Sequence, residues 1–125
     1  MRLIAAILAT ILLAACAMLA EQRTISAMRE KIRVHWKPDP AILSQPDRYR
    51  VVVRFHLDRD GRLSSPMEVR SKGSGPLYQS ATEAAKRAIE LSQPFDMISP
   101  STYDKWETVE INFDPRTFST PGPPR

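Results

Sequence analysis

The 125-residue sequence predicts an α+β domain in the order helix, strand, strand, helix, strand. Its sheet is expected to be three-stranded and antiparallel, in spatial order 2-1-3, with two helices packed on one face. Three observations carry this. Residues 49–61, YRVVVRFHLDRDG, alternate Val51, Val53, Phe55 and Leu57 with Val52, Arg54 and His56, the period of two that lays one face of a strand on a core. Residues 107–114, ETVEINFD, repeat the pattern, with Val109, Ile111 and Phe113 inward and Thr108, Glu110 and Asn112 outward. Between them, residues 77–92 place Leu77, Ala81, Ala84, Ala88 and Leu91 on one helical stripe, with Tyr78, Ala85 and Ile89 beside it. A right-handed crossover through that helix seats the third strand beside the first.

The remaining elements follow in chain order. Residues 21–36 read as a helix with Ile25, Met28 and Ile32 on its apolar stripe. Arg23, Arg29, Glu30, Lys31 and Arg33 lie mostly off that stripe, which reads as a solvated charged face or as a patch for anionic lipid. Pro38 and Pro40 end the helix, and residues 37–48 read as an extended loop. After the first strand, Asp58-Arg59-Asp60-Gly61 is turn chemistry, with Gly61 free to take positive φ. The second strand, residues 62–71, is interrupted by Ser64, Ser65 and Pro66. A proline cannot donate to a ladder, so this strand belongs at an edge and the Val-rich first strand is central. Pro94 stops the second helix, residues 95–106 form a polar connection, and Pro115 ends the third strand. A tail over 119–125, TPGPPR after Ser119, is expected to be disordered.

The N-terminus reads as an export signal. Arg2 precedes an apolar or small stretch over residues 3–20. In one reading Leu13-Ala14-Ala15-Cys16 is a lipobox, with residues 1–15 removed and lipid attached at Cys16. In a second, cleavage after Ala17 or Ala20 releases the protein from the membrane. In a third, the segment stays as a short membrane helix, near the lower limit of about 17 residues for spanning. The expected organisation is a signal peptide over 1–15, a short tether over 16–22, one domain over 23–118 and the tail. The protein is thus expected on the periplasmic side of a bacterial membrane, anchored through Cys16.

Little chemistry of other kinds is encoded. Net charge is +4, but Lys and Arg are interspersed with Asp and Glu rather than stacked in blocks, which argues against nucleic acid. One cysteine rules out an intrachain disulfide, and His35 and His56 have no second ligand at metal spacing. Residues 73–75, Gly-Ser-Gly, are too short for a phosphate loop, and no nucleophile motif of the G-x-S-x-G type occurs. No enzyme activity, cofactor, metal or small-molecule substrate is expected.

Four stretches, REKIRVHWKPDP, VVVRFHLDRDGRL, SATEAAKRAIELSQPF and YDKWETVEINFDPRTF, together resemble the TolA/TonB C-terminal domain family over about residues 24–118. The resemblance implies a periplasmic module that grips envelope proteins, components of the Tol-Pal system or TonB-dependent receptors, partly by accepting a partner strand on its sheet edge. Carried onto this chain, the accepting strand is Thr108, Val109, Glu110, Ile111, Asn112 and Phe113, with the side chains of Glu110 and Asn112 adding specificity. The sequence departs from the family in two ways. Residues 3–20 hold only Thr10 as a polar group, so no proton-coupling residue is evident, and no long stalk separates that segment from the domain. The alternatives are a structural or regulatory envelope lipoprotein that meets anionic lipid through its basic helix face, or a short TonB-like transport accessory.

Overall fold

The computed structural model describes the backbone of residues 2–118 and the side chains of residues 19–118. Cys16 and most of the apolar segment lie outside the described side chains, and the tail over 119–125 lies outside the described residues. Among the described residues no helix is long and apolar enough to cross a membrane.

Helix α1 runs without a break from Arg2 to His35. It therefore begins well before the expected Glu21, and residues 16–22, expected as a short tether, are turns of the same helix. The cause is compositional: residues 2–35 contain no Gly or Pro, so nothing interrupts the i to i−4 ladder. Met28 and Ile32 are fully buried and Ile25 partly so, as the stripe predicts.

Residues 37–48 are not an extended loop. Helix α2 spans Pro40–Ser44, and a 3-10 turn spans Pro46–Arg48. Asp39 caps α2 by accepting the Ala41 N–H at 2.8 Å, and Pro40 occupies the first helical position, where no N–H is needed. Ile42 is thereby buried.

Strand β1 spans Val51–His56, β2 spans Glu68–Val69 and β3 spans Thr108–Phe113, in sheet order 2-1-3 with both pairings antiparallel. The predicted second strand contracts to β2 plus a single bridge between Leu57 and Leu63. The Ser64-Ser65-Pro66 interruption lies between those two contacts. Helix α3 covers Pro76–Leu91 and α4 covers Tyr103–Trp106.

The buried face of α3 is Tyr78, Ala81, Ala85, Ala88 and Ile89, rotated from the predicted stripe, whose Leu91 is 52% exposed. Turning Tyr78 and Ile89 inward buries two large side chains and lets the Tyr78 hydroxyl meet Ser71 Oγ at 2.7 Å. It also brings buried Ser92 to the Ala88 and Lys31 carbonyls, joining α3 to α1. Phe55 stacks on Phe95 at 5.7 Å in the centre of the core.

The Asp58–Gly61 turn is held by the Asp58 carboxylate, which accepts the Asp60 and Arg62 N–H groups. Gly61 takes φ 77°, and a Cβ there would stand 2.5 Å from the Phe95 carbonyl oxygen. Gly75 also has positive φ, 94°, but open space around it. Gly61→Ala is therefore expected to lose at least about 2 kcal/mol, the left-handed penalty plus a backbone displacement, whereas Gly75→Ala loses only the conformational part, about 1 kcal/mol. Thermal unfolding of the two variants side by side checks the order.

Candidate functional site

The open edge of β3 is the candidate site. Its geometry follows from the ladder to β1, in which Val51 stands opposite Phe113, Val53 opposite Ile111 and Phe55 opposite Val109. Just before β3, the Leu57 N–H donates to the Glu107 carbonyl at 2.9 Å. Antiparallel pairs alternate between those that exchange bonds and those that do not. The bonded pairs are thus 57/107, 55/109, 53/111 and 51/113, and the backbone groups of Thr108, Glu110 and Asn112 point away from β1. The other side of β1 agrees: its Val52 and His56 carbonyls accept from Arg70 and Ser64, toward β2.

Among the described residues no element pairs with the outer side of β3, and Thr108, Glu110 and Asn112 are exposed. Three outward N–H groups and three outward carbonyls therefore stand in a row at the spacing an added strand requires. The opposite edge is a poor alternative. Strand β2 has only two residues, and the Ser71 hydroxyl rather than a strand carbonyl accepts the Val52 N–H.

The six residues predicted for partner binding divide into two sets. Val109, Ile111 and Phe113 have their side chains in the core, 4%, 2% and 1% exposed. They fix the strand in place, and their backbone polar groups belong to the ladder with β1. Thr108, Glu110 and Asn112 supply the outward backbone. Of their side chains, Thr108 Oγ1 is 3.0 Å from His56 Nδ1, and Glu110 accepts from Arg54, with the ion pair at 3.1 Å. The Glu110 carboxylate is thus already engaged across the sheet, in a surface pair worth at most about 1 kcal/mol.

Both ends of β3 are fastened by residues that the strand pattern alone does not identify. At the start, the Tyr103 hydroxyl donates to the Leu57 carbonyl at 2.7 Å, and Lys105 of α4 pairs with Glu21 of α1. At the end, Phe118 folds back so that its ring lies 4.6 Å from Phe113 and 5.3 Å from Trp36, with Arg29 over its face. Asp114, buried, accepts from the Arg116 side chain and backbone.

The Arg116 hydrogen bond holds the Asp114 carboxyl below the usual carboxylate range, outweighing the opposing effect of burial. A carboxyl with a lowered folded pKa contributes stability that is complete above its unfolded value, about pH 4, and that is lost as pH falls through the folded value. Asp114→Asn is therefore expected to be less stable than the parent at neutral pH, with the gap narrowing as pH falls below about 4. Urea unfolding at several pH values measures this.

No family model, curated protein or solved structure matches this chain. Among the described residues no group of His, Cys, Asp and Glu could hold a metal ion.

Proposed function

We propose that this chain is a non-enzymatic, protein-binding module of the bacterial cell envelope, which docks an extended segment of an envelope protein by strand addition to β3. The observation that carries the reading is the alternation along β3: buried side chains at 109, 111 and 113, and outward backbone with exposed side chains at 108, 110 and 112. Main-chain hydrogen bonds give such docking its affinity, and side chains at alternate positions give it selectivity. By the resemblance to the TolA/TonB C-terminal domain family, the partners are Tol-Pal or TonB-dependent receptor components.

The alternative reading through a basic helix face has less to support it. Arg29 of α1 lies over the Phe118 ring, Lys31 donates to the Pro94 carbonyl at 2.6 Å, and Arg33 is bonded to Glu30. These cations are engaged within the domain rather than arrayed for a lipid surface.

The apolar segment and Cys16 supply the envelope address, with lipid attachment at Cys16 and a position on the periplasmic side. Metabolic labelling with an acyl-chain probe is expected to mark the parent chain and not Cys16→Ala. An unlabelled parent would remove the lipid anchor from the proposal while leaving strand addition standing. Strand addition itself is tested by titrating the isotopically labelled protein with periplasmic domains of Tol-Pal and receptor components and following backbone amide shifts. Shifts concentrated in residues 107–114 are expected.

A further inference from the structure

We infer that the polar face of the sheet carries a second docking site, an electropositive groove that receives the carboxylates of an acidic peptide segment from a partner protein. The groove, about 570 Å³, forms where the 3-10 turn at Pro46–Arg48, the start of β1, the end of β2 and the residues after β3 come together. Arg48, Arg50, Arg70, Lys72 and Arg116 line it, against the carboxylates of Asp47 and Glu110.

Those two carboxylates are already occupied. Asp47 pairs with Arg116 at 3.0 Å and Glu110 with Arg54 at 3.1 Å. Arg70 has a long contact with Glu68 at 3.9 Å. Among the described residues Arg48, Arg50 and Lys72 enter no ion pair. Asp114, whose carboxyl also feels Arg50, is buried and bonded to Arg116. Cations gathered on one concave face repel one another, and the repulsion is relieved when anions enter.

The distribution of the cations selects the occupant. They come from separate stretches of the chain, the 3-10 turn, the residue before β1, the residues after β2 and the residues after β3, an arrangement that suits spaced carboxylates along a peptide. The lining holds no aromatic ring on which a base could stack.

Position argues against a bilayer headgroup. At Glu21 α1 is tied to α4 through Lys105, next to the first residues of β3. Its end brings Trp36 against Phe113 at 6.2 Å, so α1 runs along β3 in the same direction. Residues 3–20 thus leave from the Thr108 end of the sheet, and the groove lies at the Phe113 end. The site uses side-chain charge on the sheet face and not the backbone edge, so it stands apart from strand addition.

The probe is a fluorescein-labelled twelve-residue peptide of alternating Glu and Thr, added to the full chain in detergent micelles and followed by fluorescence anisotropy. The parent is expected to bind it, with affinity falling as salt is raised. The triple variant R50Q/R70Q/K72Q, all at exposed positions, is expected to bind about tenfold more weakly or worse, with its amide spectrum otherwise retained. The edge variant Asn112→Pro is expected to bind the peptide like the parent, which separates this site from the β3 edge. Equal binding of a Gln-for-Glu peptide, unchanged binding by the triple variant, or loss of binding in Asn112→Pro would overturn the groove assignment. So would capture of phosphatidylglycerol vesicles, in preference to the peptide, that is lost in the triple variant.

Discussion

Phe113→Ala is expected to destabilise the domain by about 4 kcal/mol, a large part of the roughly 5–15 kcal/mol available to a domain of this size. Phe113 is 1% exposed and is the last residue of β3. It joins three elements at once: its ring lies 6.2 Å from Trp36 at the end of α1 and 4.6 Å from Phe118 after the strand, while its backbone pairs with Val51 of β1. Truncation removes a ring's worth of buried surface, leaves a cavity and breaks two aromatic contacts, each worth about 1 kcal/mol beyond its area. Urea unfolding should show a lower midpoint with an unchanged slope. Thr108→Ala, an exposed position at the other end of the same strand, should shift the midpoint by little, within about 0.5 kcal/mol.

The second large effect concerns docking rather than stability. Asn112→Pro removes an N–H that points away from β1, so the β1–β3 ladder keeps its bonds and the fold should survive. An edge strand tolerates proline where its N–H faces solvent. The same substitution one residue earlier, Ile111→Pro, removes an N–H that belongs to the ladder with Val53 and is expected to cost about 3 kcal/mol or more. Strand addition should be lost in Asn112→Pro because the added strand loses the bond at the Phe113 end of the row and meets the proline ring. Circular dichroism and thermal unfolding separate the two variants. If Asn112→Pro unfolds and Ile111→Pro does not, the inward and outward sets have been assigned the wrong way round.

Much of the fold was legible because its strands are one-sided. Alternation at 51–57 and 107–114 identifies both long strands and their buried faces, and the proline-broken segment at 62–71 identifies the edge. The crossover rule then leaves order 2-1-3. What alternation does not report is which backbone groups face out. That depends on the phase of the ladder, which only the pairing of Leu57 with Glu107 supplies.

Three features were less legible. Helix α2 is announced by Asp39-Pro40, a cap followed by a first-position proline, but the neighbouring prolines at 38 and 46 make the stretch read as a loop. The face of α3 is rotated because its alanines let several stripes serve, and Tyr78 with Ile89 decides among them through contacts made elsewhere in the chain. The electropositive groove was hidden most completely. Arg48 with Arg50, Arg70 with Lys72, and Arg116 stand in three distant stretches with Asp and Glu between them, so charge patterning reads as mixed, and only the sheet brings them to one end.

The central claim is that β3 receives a partner strand through the backbone of Thr108, Glu110 and Asn112. Amide hydrogen exchange along β3 tests it most directly, measured on the protein alone and with the periplasmic domain of a Tol-Pal or receptor component. Alone, the amides of 109, 111 and 113 should exchange slowly and those of 108, 110 and 112 rapidly. With the partner bound, protection should appear at 108, 110 and 112. A partner that binds while those three amides keep their rapid exchange would contradict strand addition at this edge.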